Sequence, residues 1–258
     1  MESRDIQKYA DLLYESERDK KPVKPLSEMD SFTLDDAYAV QLANISRVTE
    51  MGYTVSGKKI GLTSPGIQKQ LGVNEPDYGH LFEAMECPNN IVSADDLILP
   101  KIEAELAFIL SADLAGGNVT EEDVINATEY VVGAFEIVDS RVADWKIKLV
   151  DTVADNASSG RYILGTKKLA PKDIDLTAET MSLYKNGAKV EEGSSAAVLG
   201  NPCKAVAWLA NRLWGYGVTL KKGEVILSGA FSAAPPAQKG DTFRVEFSSL
   251  GVVEAVFE

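Results

Sequence analysis

Lys101-Ile102-Glu103-Ala104-Glu105-Leu106-Ala107-Phe108-Ile109-Leu110 decides how this chain is read. Beyond the two glutamates both faces of the segment are apolar, the mark of a β-strand buried on both sides. Tyr130-Val131-Val132-Gly133-Ala134-Phe135-Glu136-Ile137-Val138 repeats the pattern with one acid in an apolar strand. A buried carboxylate is costly unless something positive faces it. No lysine or arginine interrupts either apolar core.

Side chains alternate along a strand, so Glu103 and Glu105 point to one face, roughly 6.5–7 Å apart at the backbone. Taken alone, that Glu-x-Glu pair also fits an exposed sheet edge. Glu136, in a second apolar strand, is harder to place at a surface. A divalent cation held by Glu103, Glu105 and Glu136 neutralises all three. All-oxygen ligation favours Mg²⁺ or Mn²⁺ over zinc. Three ligands leave open positions for water and substrate, as a catalytic ion needs.

Outward from these strands the pattern is mixed. Ile6, Tyr9, Ala10 and Leu13 recur at helical spacing. Thr33 and Asp36 signal a second helix that runs to Gly52. Residues 1–56 are therefore expected to form a helical N-terminal region, and residues 57–258 a mixed-β catalytic domain. A short strand is expected at 58–63, one or two helical turns at 66–71, and a helix from Thr120 to about Tyr130. Strands follow near 161–165, 181–185, 224–229 and 242–257, interrupted by a helix from Pro202 to Tyr216. Asn186-Gly187 is a hairpin-turn signal. Residues 139–160 read as an irregular polar loop of the kind that carries function. The fold class is α+β.

The 258 residues carry a net charge of −13, which argues against nucleic acid or an anionic membrane as partner. An anionic substrate then needs a local positive centre. Two separated cysteines, Cys87 and Cys203, make no disulfide framework and point to a reducing cytoplasm. No apolar run is long enough to span a membrane. The polar Met1–Asp5 start is not expected to act as a secretory leader.

Several runs together resemble the fumarylacetoacetate hydrolase superfamily. They are Gly57-Lys58-Lys59-Ile60-Gly61-Leu62-Thr63-Ser64, Glu75-Pro76-Asp77-Tyr78-Gly79 and Ile102–Phe108. Further on, Glu136–Arg141 with Asp144-Trp145-Lys146, Asp151–Gly160, Val206–Ala210 and Gly223–Ala230 agree as well. Within the superfamily the chain is most similar to the 2-keto-4-pentenoate (2-hydroxypentadienoate) hydratases of aromatic meta-cleavage pathways. Related 4-oxalocrotonate decarboxylases carry proline where this chain has Ala104, and lack its Asp144-Trp145-Lys146 loop.

The resemblance implies a mixed-β fold of the fumarylacetoacetate hydrolase C-terminal type and a Mg²⁺ or Mn²⁺ site on Glu103, Glu105 and Glu136. It implies an active-site lysine and aspartate at Lys59 and Asp77. Leu62, Ser158, Ser159 and Ser228 are candidate substrate contacts, the serines through hydroxyl or backbone groups. It implies hydration of a 2-hydroxy-2,4-dienoate to 4-hydroxy-2-oxopentanoate. A homo-oligomer and a complex with a 4-oxalocrotonate decarboxylase are implied too. The alternatives are a decarboxylase of the same superfamily and a non-catalytic partner subunit.

Near a divalent ion the pKa of Lys59 is expected to fall. The competing reading of Lys59 is a solvated strand end beside an exposed Lys58. Asp77 also suits a turn, and Ser158 and Ser159 also suit turns. His80, the sole histidine, is expected to pack or cap rather than catalyse. Trp145 is expected to pack or act as a lid, and both cysteines to be inert.

Overall fold

A computed structural model describes residues 2–258; Met1 of the polar start lies outside them. Helices α1 (Ser3–Asp19), α2 (Leu26–Met29) and α3 (Leu34–Glu50) open the chain. Thr33 and Asp36 cap α3 reciprocally, as their spacing predicts: Asp36 N donates to Thr33 Oγ1, and Thr33 N to Asp36 Oδ2.

The first sheet has six strands. They are β1 (Val55–Gly61), β2 (Asp77–Phe82), β4 (Pro100–Leu110), β5 (Thr128–Asp139), β6 (Ser159–Leu164) and β9 (Val225–Leu227). Their order is β2-β1-β9-β4-β5-β6. The second sheet holds β3 (Ile91–Val92), β7 (Thr180–Lys185), β8 (Ala188–Ser194), β10 (Thr242–Phe247) and β11 (Gly251–Phe257), ordered β3-β11-β10-β7-β8. Helix α4 (Pro65–Leu71) follows β1, α5 (Glu121–Ala127) leads into β5, α6 (Leu149–Ala154) precedes β6, and α7 (Pro202–Trp214) precedes β9.

The two sheets differ because their sequences do. In β10 and β11 burial alternates residue by residue: Phe243, Val245, Phe247, Val253, Ala255 and Phe257 face inward, Arg244, Glu246 and Glu254 outward. That is a sheet covered on one side. Strands β4 and β5 are buried on both sides almost throughout. Their outer face, with Ile102, Leu106, Phe108, Val131, Phe135 and Ile137, joins the main core together with Tyr9, Leu13 and Val40 of the helices and Phe243 and Phe247 of the second sheet. Gly133 leaves room for Phe247, whose ring would collide with any side chain there.

The first sheet curls into a roll. Leu81, Ala107, Val132, Ala134, Tyr162 and Leu227 form a separate apolar cluster on its inner face. The curl brings β6 back to β1 and to the segment after β2: Cys87 N donates to Tyr162 O at 2.9 Å, and the hydroxyls of Ser56 and Tyr162 lie 3.1 Å apart. The α+β architecture read from the sequence holds. Two local expectations change. The helix expected to reach Tyr130 ends at Ala127, because the Val-rich run after it pairs along β4. The loop 139–160 contains α6, whose Asp151 side chain accepts the backbone N–H of Lys148 and Ser27. Asn186 (φ 53°) and Gly187 (φ 82°) make the predicted hairpin turn between β7 and β8.

Candidate metal and substrate site

Register builds the site. Glu103 of β4 lies opposite Glu136 of β5, and Glu105 opposite Ala134. Lys59 of β1 pairs with Leu227 of β9, which pairs with Ala107. Residues in one such row share a face, so Lys59, Glu103, Glu105 and Glu136 all project inside the roll. Asp77 of β2 pairs with Gly61 and joins them. A side chain at Gly61 would collide with Asp77 Oδ1 and lie 3.7 Å from Lys59 Nζ. Glycine there gives the carboxylate and the ammonium their space.

One carboxylate oxygen from each of Glu103, Glu105 and Glu136 falls within 4.8 Å of the others. Glu105 and Glu136 are buried, and Glu103 is partly so. Gly229 N donates to Glu105 Oε2 at 2.8 Å and fixes that side chain. Among the described residues Glu105 Oε1 and Glu136 Oε2 have no hydrogen-bond partner. Lys59 Nζ sits 2.9 Å from Glu136 Oε1, an ion-pair distance without the alignment of a good hydrogen bond. So the acidic strands do meet one protein cation, delivered by a third strand. One ammonium against four carboxylates leaves a deficit of positive charge. Two unit charges 4.8 Å apart in a protein interior repel by about 3–4 kcal/mol.

Protonation answers part of that deficit. Burial, then Glu136, pushes the Glu103 carboxyl up to about 7. Glu105 is raised well above the ordinary range by burial and by its two acidic neighbours. Burial raises Glu136 too, against the opposing pull of Lys59. Asp77 is pushed up to about 6, chiefly by burial. For Lys59 burial favours the neutral amine. Glu136, Glu103, Asp77 and Glu105 outweigh it and hold the ammonium above the ordinary lysine value. The fall expected of Lys59 applies to the ion-loaded site; in the protein alone the acids act on Lys59 directly. Buried all-oxygen donors on two adjacent strands, β4 and β5, fit a hard divalent ion.

Glu103 and Asp77 open onto a cavity of about 700 Å³, with Glu105 and Glu136 behind them. Lys59, Asp77, Glu103, Leu62 and Ser158 line it, as do Thr63, Thr152, Lys101 and Trp145. Its remaining wall is mostly apolar, with Ile67, Ile147, Ala197, Phe231, Ala230, Ala233 and Ala234, broken by Ser64 and Ser232. Leu62 holds φ 57°, a left-handed conformation at the strand end. Trp145 Nε1 donates to Leu99 O at 2.9 Å, and Lys101 Nζ lies 4.2 Å from the Trp145 ring centre. Among the described residues Lys101 makes no ion pair. Sequence reasoning missed it, although a lysine two residues before Glu103 shares its face.

Other candidates fall elsewhere. Ser159 lines a separate small cavity beneath α1 and α3, on the far side of its turn. Ser228 is fully buried with an unpartnered hydroxyl, outside the residues lining the main cavity. Lys58, expected to be exposed, is buried in an ion pair with Glu224 at 2.8 Å. It lies on the outer face of β1, where the core rather than solvent covers it. His80 is buried against Tyr78, with ring centres 6.1 Å apart. Cys203 is buried and Cys87 half-buried; burial raises both thiols.

The wall carrying Ser158 is strained. Asn156, Ala157 and Ser158 hold φ of 55°, 49° and 53° in succession. Three non-glycine residues in this region cost roughly 1–2 kcal/mol each. A buried network holds them. Asp155 accepts from Arg141 N at 3.1 Å, and its carboxylate pairs with the Arg141 guanidinium. Arg141 Nη1 donates to Ser159 O at 2.7 Å, and Ser158 Oγ to Asp155 Oδ2 at 3.1 Å. With its hydroxyl proton on Asp155, Ser158 must turn that group to donate to a substrate. Two buried charges in a polar loop, Arg141 and Asp155, were the signal available in the sequence.

The fumarylacetoacetate (FAA) hydrolase C-terminal family matches residues 73–258. A 2-keto-4-pentenoate hydratase of Paraburkholderia xenovorans (strain LB400) is 44% identical over 251 residues, covering 96% of this chain and 93% of its own. A 2-hydroxyhexa-2,4-dienoate hydratase of Comamonas testosteroni is 44% identical over 249 residues, covering 95% and 94%. Among solved structures, 4-oxalocrotonate decarboxylase from Pseudomonas putida G7, complexed with magnesium and adipate, superposes with a TM-score of 0.95. It is 36% identical and covers 100% of this chain and 99% of that one. The chain belongs to the fumarylacetoacetate hydrolase family.

Proposed function

We propose that this protein is a hydro-lyase that adds water to 2-hydroxypenta-2,4-dienoate, giving 4-hydroxy-2-oxopentanoate, in the meta-cleavage breakdown of aromatic compounds. The observation that carries the reading is the convergence of Glu103, Glu105 and Glu136 beside Lys59 and Asp77 at a cavity sized for a small acid. The hydratase relatives, matched over nearly their whole length, support it.

Glu103, Glu105 and Glu136 are the residues that would hold Mg²⁺ or Mn²⁺. Bound there, such an ion supplies Lewis acidity toward the carboxylate and C2 oxygen of a 2-hydroxy acid. In the overall reaction the enol proton moves to C5, the hydroxyl of water adds at C4, and the water proton ends on C3. Asp77, with its pKa near neutrality, is suited to take the water proton on Oδ1 and deliver it to carbon. Lys59 stays cationic and donates a hydrogen bond to developing negative charge. Leu62 and Ser158 contact the substrate carboxylate, and the alanine-rich wall keeps bulk water from the alkene end. Ser159 and Ser228 act behind this surface rather than on it.

Decarboxylation of 4-oxalocrotonate is the second reading. The likeness to the decarboxylase favours it, as does Lys101, placed to meet a second carboxylate. Purified protein given each substrate in turn, with Mg²⁺ or Mn²⁺, tests the two. Loss of dienoate absorbance with formation of 4-hydroxy-2-oxopentanoate is expected. CO₂ release from 4-oxalocrotonate without hydration would overturn the hydratase reading. The same reading places the protein in the cytoplasm as a homo-oligomer that pairs with a 4-oxalocrotonate decarboxylase. Light scattering on the protein alone and mixed with such a decarboxylase checks both states. No helix among the described residues is long and apolar enough to cross a membrane.

A further inference from the structure

Strands β2 and β6 are the two edges of the curled sheet, and among the described residues no ladder joins them. A sheet edge presents backbone groups that need partners. At His80 of β2 the side-chain amide of Asn156 supplies them. His80 N donates to Asn156 Oδ1 at 2.7 Å, and Asn156 Nδ2 donates to His80 O at 2.9 Å. The amide stands in for one peptide of a missing neighbouring strand. Gly79, the preceding residue of β2, lets the turn come close: a side chain there would collide with Asn156 O and lie 2.9 Å from Ser159 Oγ.

The two sides of this seam carry different parts of the site. Asp77 stands three residues before His80 on β2. Ser158 stands two residues after Asn156, in the left-handed turn tied to Arg141. We infer that Asn156 is a positioning residue whose amide closes the seam between β2 and β6 and fixes Asp77 relative to Ser158. The inference rests on the hydration reading for its kinetic consequence, but the clamp itself is independent of it. Asn156 touches no reacting atom. It tolerates positive φ better than most residues, so one side chain meets both the backbone and the hydrogen-bond requirement.

The test compares Asn156→Gly and Asn156→Asp with the parent. Glycine accepts the positive φ and removes both hydrogen bonds. Aspartate keeps the acceptor toward His80 N and loses the donor toward His80 O. Readouts are thermal melting, Mn²⁺ binding by calorimetry, exchange of the His80 amide by NMR, and kcat and KM on the dienoate. Asn156→Gly is expected to stay folded, bind Mn²⁺ within about threefold of the parent, and exchange the His80 amide at least about tenfold faster. Its kcat is expected to fall by about 10- to 100-fold, with a smaller change in KM, as misplacement of an acid–base group produces. Asn156→Asp is expected to fall between the two in exchange and in kcat. A parent-like kcat in Asn156→Gly with the His80 amide unprotected overturns the proposal. So does a loss that follows Mn²⁺ affinity rather than kcat. If the parent itself fails to hydrate the dienoate, the hydration reading falls. A crystal structure of Asn156→Gly then decides the clamp: a turn at 156–159 shifted against β2 supports it, and an unmoved turn overturns it.

Discussion

Glu103 and Glu136 stand directly opposite each other across the β4–β5 ladder, both on the inner face of the roll. Like charges in that position destabilise a sheet, and a cation reverses the sign. The linkage to pH follows. The folded pKa of Glu103, about 7, and of Asp77, about 6, exceed those of the unfolded chain. As pH rises the unfolded chain loses these protons first, so stability falls from roughly pH 4 to beyond pH 7 when no divalent ion is bound. We expect the melting temperature of chelator-treated protein to drop between pH 5 and pH 8. Millimolar Mn²⁺ should raise it by about 5 °C or more at pH 8 and little at pH 5. Calorimetric melts at both pH values check this; an equal Mn²⁺ effect at the two would contradict it.

Removing one acid separates metal binding from folding. Glu105→Gln keeps the shape and the contact to Gly229 N, and removes one buried negative charge. Mn²⁺ affinity is expected to fall at least about 100-fold, and turnover with it, while the melting temperature of the metal-free protein holds or rises. Titration calorimetry and circular dichroism together decide the point.

Gly229 has no side chain to offer a ligand, yet it should matter to the ion. Its φ of 116° disfavours any other residue, and a methyl there would strike Thr63. Gly229→Ala is expected to dislodge the N–H that holds Glu105 and to weaken Mn²⁺ binding by about tenfold or more. Parent-like affinity in a folded Gly229→Ala protein would remove this backbone contact from the account.

Lys59→Met tests the ammonium. It deletes the ion pair with Glu136 and leaves the three carboxylates for the cation. Mn²⁺ is expected to bind as well as to the parent or better, with kcat lowered about 100-fold or more. Unchanged turnover would take Lys59 out of the mechanism.

His80 gives a spectroscopic check, since it is the only histidine. Burial, then the nearby Lys58 charge, pushes its pKa down to about 3. Below pH 6.5 the unfolded chain takes up the proton and the folded one does not. The contribution of His80 to stability is therefore lost as pH falls toward 3, by roughly 2 kcal/mol at pH 5, which opposes and partly offsets the larger gain from the acids. The single imidazole NMR signal should show no titration from pH 8 to 4. A midpoint near 6.5 would mean that the ring is solvated.

The sequence exposed those parts of the site that break a local rule. Glu103, Glu105 and Glu136 were legible because each spoils an apolar strand. The capping pair Thr33 and Asp36 and the turn Asn186-Gly187 were legible because they are local. What escaped depends on which strands become neighbours. Lys58 and Lys59 look alike in sequence, yet the pleat sends one to Glu224 and the other to Glu136. Ser158 and Ser159 likewise part to opposite sides of one turn. Asn156 carried no signal, since an asparagine in a polar loop has many uses until the sheet curls against it.

Strand β9 is only three residues long, but it alone connects β1 to β4. A ribosome must therefore emit almost the whole polypeptide before lysine and glutamates can meet. Until then the emerging chain holds the β1–β2 pair, with the lysine, and the three-stranded β4–β5–β6 sheet, with the glutamates, unjoined and each with a raw border. Truncation ahead of Val225 should yield fragments that stick to one another and ignore manganese.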